Sequence, residues 1–295
     1  MANQSMAQIN AKDVMTLRAR THAGMMEAKK ALAEANGNMD QAAELLRKWG
    51  AGRADAKMSN EMKEGLIGGK ISQDGKLGVL LRLGCQTDFV ARNDGFQKLL
   101  ADLVELAYSN DVGSPADLNN LKYPDNSGRT VETVVKELIG GSIKENIAIT
   151  GLARFKSTGG QVGKYIHHNA KVGTLVQVEG STDDAVRVLL GEIAMHITAG
   201  IPVVPVAVSR DKVPADVVEQ EKKIAAEGIT GKPPQIVEKI VSGKLDKFFA
   251  EQVLLEQPFI KDPEKRIRDL VQDASKATSA KLEIVNFARF QVGEA

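Results

Sequence analysis

Lys70–Asp88 reads KISQDGKLGVLLRLGCQTD, and Tyr165–Asp183 reads YIHHNAKVGTLVQVEGSTD. The two align at a constant offset of 95, pairing Ile71 with Ile166, Lys76 with Lys171, Gly78 with Gly173 and the closing Thr-Asp pairs. A self-match of this length marks an internal duplication. Each copy is predicted to be a β-hairpin: a strand, a turn at Asp74-Gly75 or Asn169-Ala170, and a longer apolar strand. Each closing Thr-Asp is a candidate helix start.

A helix is expected after both hairpins, FQKLLADLVELA in the first copy and VRVLLGEIAMHI in the second. There Leu99 and Leu100 match Leu189 and Leu190 at an offset of 90. The first copy therefore holds five extra residues between its Thr-Asp and its helix, in or beside Phe89–Asp94. Extra residues on a rigid scaffold are where function tends to sit.

Three short helices are expected before the repeat. The second carries Met25, Ala28, Leu32 and Ala35 and stops at Gly37; the third carries Ala42, Leu45, Leu46 and Trp49 and stops at Gly50. AGRADAKMSNEMKEG then reads as a linker with room for some helix. Beyond the second copy, Asp211–Glu251 has 15 charged residues in 41. Val217, Glu221 and Ile224 lead to a turn at GKPP and a return through Ile236, Ile240 and Phe248, which predicts a projecting antiparallel helical arm with a thin apolar seam. QPFIKDP (Gln257–Pro263) ends the arm, and KLEIVNFARFQVGEA is expected to be a closing strand that rejoins the second sheet. The class is thus α+β: a helical bundle over 1–52, a first core subdomain over 53–145, and a second over 146–295 with its arm at about 211–255.

With 39 basic and 38 acidic residues in 295, the chain lacks the positive field of a nucleic-acid binder. Neither a signal-type segment in MANQSMAQINAKD nor a run of membrane-spanning length is present, so a cytoplasmic protein is expected. The single cysteine, Cys85, lies on one alternating face with Leu77, Val79, Leu81 and Leu83, as a buried, inert thiol would. The four histidines lack zinc spacing. No phosphate-loop motif occurs; Lys70 and Lys232 follow glycines but precede Ile71 and Pro233. No cofactor, metal or covalent catalysis is expected.

The informative segment is Cys85-Gln-Thr-Asp-Phe-Val-Ala-Arg-Asn-Asp94. In one reading Asp88 caps the coming helix and Phe89 packs beneath it. In the other Phe89 is exposed for insertion into a partner. The second copy favours the latter, because its Thr182-Asp183 is followed by Asp184 and the scaffold itself needs no aromatic there.

TDFVARND with its preceding cysteine, LRARTHAGMMEAKKAL at Leu17–Leu32, QPFIKDP and the doubled core together resemble the bacterial elongation factor Ts family over nearly the whole chain. The resemblance implies a guanine-nucleotide exchange factor for elongation factor Tu, binding it GDP-bound and nucleotide-free. It implies a ubiquitin-associated-like bundle that docks on the partner's nucleotide-binding domain. Thr87, Asp88, Phe89 and Val90 would dislocate the partner's magnesium ion, with Arg18, Met25, Met26, Arg92, Asn93 and His167 in partner contact. If Met25 lies inside with Ala28 and Leu32, Met26 is left to a partner or to solvent; His167 suits either a partner contact or a strand-face hydrogen bond.

Neither direct nucleic-acid nor membrane binding is implied, and a homodimer or two-to-two complex stays open. A protein-binding scaffold without exchange activity is the alternative. The chain departs from the family pattern at His22, which bears on the local turn, and at Arg82, Gly84 and Gln86, which bear on strand packing and charge matching. Some members carry a further C-terminal helix; this sequence ends at Ala295, which implies a weaker grip there.

Overall fold

The structure, a computed structural model, describes residues 9–21, 23–229 and 233–294. The N-terminal stretch through Gln8, His22, Ala295 and the Gly231-Lys232 half of the expected GKPP turn lie outside the described residues. The chain divides into two compact units, one of residues 1–68, 81–152 and 291–295, the other of 69–80 and 153–290. Three helices precede a core of sheets and helices, as the α+β class requires.

The first unit begins with α1 (Ala11–Thr21), α2 (Met25–Glu34) and α3 (Met39–Asp55). Val14, Leu17, Ala28, Ala31, Leu32, Ala42 and Leu46 form their common core. Met25 is not part of it. Met25 and Met26 are both exposed, because Ala28, Ala31, Leu32 and Ala35 complete the inward stripe of α2. Nor does α3 stop at Gly50. It continues for more than a turn to Asp55, and Gly50 instead lies where α3 meets α7 (Val131–Gly140).

β1 (Glu64–Ile71) and β2 (Leu77–Cys85) are followed by α4 (Asp88–Ala91), α5 (Asp94–Ser109), α6 (Pro115–Asn120), α7 (Val131–Gly140) and β3 (Ile147–Lys156). One sheet has the order β1-β2-β3. As its central strand, β2 is buried from Gly78 to Cys85 on both faces, so the alternation expected from the sequence marks two covered faces rather than an inside and an outside. Arg82 is one of the buried residues. Its guanidinium donates to Thr150 Oγ1 and O at 3.0 Å each, to Gln291 O at 2.8 Å and to Glu294 O at 2.7 Å. The departure at Arg82 thus serves to tie residues 291–294 to the first unit.

The second unit is built from β4 (Gly160–Ile166), β5 (Val172–Glu179), α8 (Asp184–Ala199), α9 (Ala215–Ala226), α10 (Pro234–Gln252), β6 (Pro258–Phe259), β7 (Asp262–Arg266), α11 (Ile267–Thr278) and β8 (Glu283–Gln291). β4 and β5 pair antiparallel from Gly160 with Glu179 to Ile166 with Gly173. The expected closing strand is β8, which completes the sheet β4-β5-β8. α11 has no counterpart in the sequence reading, although Ile267 and Val271 anchor it to the core.

The duplication extends to backbone geometry. Asp74 Oδ1 accepts from Lys76 N, and Asn169 Oδ1 from Lys171 N, both at 3.0 Å. Gly75 and Ala170 both hold positive φ, 72° and 54°. Only the first copy has the residue that does so without strain. α5 and α8 are both 16 residues long and start at Asp94 and Asp184, so the expected offset of 90 is the offset of the helices themselves.

At the crossing of α3 and α7, a Cβ on Gly140 would lie 2.6 Å from Gly50 Cα. Backbone atoms cannot yield to it. Gly140→Ala is therefore expected to lower stability by about 1–3 kcal/mol, whereas Gly191→Ala on α8, where an added Cβ meets nothing within 4 Å, gains up to about 1 kcal/mol from helix propensity. Thermal melts followed by circular dichroism check both signs.

Candidate interaction site on the inserted turn

The insertion of the first copy falls in α4 (Asp88–Ala91), one turn of helix between β2 and α5, and in the Arg92-Asn93 link that follows it. Asp88 is not its cap. Thr87, in extended conformation, has that position, and its hydroxyl accepts from Val90 N at 3.4 Å. The backbone closes the turn, with Arg92 N donating to Asp88 O at 3.0 Å and Asn93 N to Val90 O at 2.9 Å. Asn93 then caps α5, its Oδ1 accepting from Gly95 N at 2.8 Å. In the second copy Asp183 does the capping, through Ala185 N.

Val90 and Ala91 are buried, while Phe89 is 82% exposed. Helical geometry explains the contrast. At about 100° per residue, the direction midway between Val90 and Ala91 lies about 150° from Phe89. Burying that pair therefore drives Phe89 outward. The reading in which Phe89 packs beneath the helix is overturned, and of the four predicted residues Val90 serves as an anchor below the surface.

The surroundings are rigid on the inner side. Cys85 is buried, its thiol donating to Thr87 O at 3.2 Å, and Phe96 opens α5 as a fully buried side chain. Glu145, just before β3, accepts from Thr87 N at 3.1 Å and from Thr87 Oγ1 at 2.9 and 3.0 Å. No sequence signal singled out Glu145. It lies 58 residues from Thr87, and only the fold makes them neighbours. On the outer side Asp88 pairs with Arg92 at 3.0 Å, both side chains well exposed. Such a pair contributes little to stability and leaves both charges available.

Of the other predicted residues, Arg92 and Asn93 stand at the end of the same turn, and both are exposed. Arg18, Met25 and Met26 are exposed on the bundle. Glu27, next to Met26, accepts from Arg53 at 2.5 Å and faces Lys144 at 3.5 Å. Burial raises its pKa, but the Arg53 hydrogen bond and the charges of Arg53 and Lys144 outweigh that and hold the carboxyl below its usual range.

His167 belongs to the second unit, near the β4–β5 turn. Its Nδ1 lies 3.5 Å from the Tyr165 hydroxyl, and its ring 4.2 Å from that of His168. Among the described residues no cluster of His, Cys, Asp or Glu has the arrangement to hold a metal ion. No helix among them is long and apolar enough to cross a membrane.

An exposed aromatic on a turn anchored from below can do one chemical thing well: enter an apolar gap in another protein with little loss of conformational entropy. Phe89→Ala is expected to change stability by no more than about 0.5 kcal/mol, as for other surface positions. Thr87→Ala, which removes the capping hydroxyl and its hydrogen bonds to Glu145 while the backbone N–H bond to Glu145 remains, should cost about 1–2 kcal/mol. Denaturant titration of both variants measures the difference.

Comparison with known proteins adds the following. Residues 86–294 match the family model described as Elongation factor TS. The chain is 40% identical over 291 residues to elongation factor Ts of Chlorobium limicola, covering 98% of this chain and 100% of that one. To elongation factor Ts of Chloroherpeton thalassium it is 40% identical over 292 residues, with the same coverage. To that of Alkalilimnicola ehrlichii it is 39% identical over 288 residues, covering 97% of this chain and 92% of the relative.

Proposed function

The chain belongs to the elongation factor Ts family, and we propose that it is a guanine-nucleotide exchange factor for elongation factor Tu, releasing GDP by disturbing the partner's magnesium site. The observation that supports this most directly is Phe89, 82% exposed at the crest of α4. An exchange factor must bind the nucleotide-free partner better than the loaded one, since a ligand shifts an equilibrium only by its differential affinity. By linkage, it weakens nucleotide binding by the same factor.

In this reading Phe89 wedges between helices beside the magnesium site, and Asp88 supports the shift. Loss of the ion's ordered coordination exposes phosphate charge that it had neutralised. GDP leaves, GTP enters, and the factor is expelled. The bundle over 1–52 docks on the nucleotide-binding domain through Arg18, Met25 and Met26, whose flexible thioethers suit an adaptable surface. Arg92 and Asn93 flank the wedge, and His167 makes a separate contact. The protein performs no covalent step of its own and works in the cytoplasm, where translation proceeds.

The test is release of fluorescent GDP from elongation factor Tu at catalytic amounts of this protein. Phe89→Ala is expected to slow the catalysed rate by about tenfold or more, because a central interface aromatic contributes about 2 kcal/mol or more. Stable complex formation without accelerated release would instead establish a scaffold. Chelating magnesium raises spontaneous GDP release from the partner, so the ratio of catalysed to uncatalysed rates should shrink in chelator. A ratio identical with and without magnesium would move the mechanism to the phosphate or base side of the nucleotide.

A further inference from the structure

Phe89 has almost no packing of its own, so its direction is set by the backbone of α4. That backbone in turn depends on the cap at Thr87. The cap is held from a distant part of the chain. Lys144 takes a left-handed conformation, φ 61°, unusual for a side chain of its size, and turns the next two residues toward the inserted turn.

Glu145 engages both polar groups of Thr87, accepting from its N–H and from its hydroxyl. Because that hydroxyl donates to Glu145, its lone pairs are left to accept from Val90 N. Asn146, 3% exposed, grips the neighbouring residue: its N–H donates to Gln86 Oε1 at 2.7 Å. The Asn146 side-chain amide donates to Met58 O at 3.0 Å and Asn60 O at 2.8 Å. Two adjacent residues thus hold the approach to α4 and the stretch that follows α3.

We propose that Glu145 is a positioning residue for exchange, acting through Thr87 to hold α4 in the orientation that presents Phe89. The inference rests on the exchange reading above. It assigns Glu145 no contact with the partner or the nucleotide. Docking through Arg18, Met25 and Met26 involves other elements, so loss of Glu145 affects the maximal rate and spares the concentration dependence.

GDP release from elongation factor Tu, measured across a range of factor concentrations, tests this. Glu145→Ala is expected to lower the maximal acceleration about tenfold, while the half-saturating concentration stays within about twofold. Glu145→Gln, which keeps an acceptor oxygen at the same reach, should retain at least about a third of the parent rate. In the Phe89→Ala background, Glu145→Ala should change the rate by less than about twofold, because two residues acting through one contact are not additive.

Full exchange by Glu145→Ala beside a deficient Phe89→Ala overturns the positioning role and leaves the exchange reading standing. Losses that multiply in the double variant overturn it as well. Full exchange by Phe89→Ala removes the wedge on which this proposal rests, whereas no accelerated release by the parent protein removes the exchange reading itself. A melting curve confirms that each variant is folded; should Glu145→Ala not fold, Thr87→Val, which removes the hydroxyl and keeps the side-chain shape, replaces it in the same cycle.

Discussion

A single turn of helix does not stabilise itself. Forming the first turn fixes several residues in exchange for one or two hydrogen bonds, so four residues such as Asp88–Ala91 are helical only if their surroundings make them so. Those surroundings are the Thr87 cap, the buried pair Val90 and Ala91, and the carboxylate of Glu145. Each acts on the inner side of the turn. The outer side, with Phe89, Asp88 and Arg92, is free of structural duty and can be spent on recognition.

The duplicated hairpins show how one scaffold carries two different ends. Their turns share the Asp74 and Asn169 hydrogen bonds and a left-handed residue at matched positions. Their helices share a length and a phase. What differs is the passage from strand to helix. In the second copy Asp183 caps α8 directly; in the first, one helical turn intervenes and a second cap, Asn93, begins the long helix. The insertion adds a feature without disturbing the packing of either half, which is how a loop acquires function on a fixed frame.

The bundle and the arm are attached by different physics. The bundle meets α7 where two glycines let the backbones approach, and Glu27 joins α2 to α3 through Arg53 and reaches Lys144 beyond the bundle. The arm is the opposite case. α10 has no buried residue, and Ile224 and Ile236 are about half exposed. Its order comes from the base, where Arg210 pairs with Asp246 and Glu256 and stacks on Phe249 at 4.7 Å. Gln257 there bonds His196 Nε2 at 3.0 Å and the carbonyl of Val203 at 2.9 Å.

Much of this was legible in the residues alone. Periodicity and self-similarity are local properties, so the two hairpins, their helices, the five-residue insertion, the closing strand and the charged arm could be read directly. Caps and inward stripes were read less well. Gly50 looked like a helix stop because a glycine at a helix end and a glycine at a helix crossing are identical in sequence. Met25 looked buried because Ala31, which completes the stripe in its place, is apolar but small. α11 passed unnoticed between a turn motif and a strand.

The sequence by itself determined that an aromatic and a carboxylate stand on an elaborated loop of a duplicated α+β core. Only the tertiary structure decided that Phe89 faces outward and that Thr87, not Asp88, is the cap. The physical reason is that both depend on partners far away in the chain. Burial of Val90 and Ala91 sets the rotation of the turn, and Glu145, 58 residues from Thr87, meets it only after the sheet has brought β2 and β3 together.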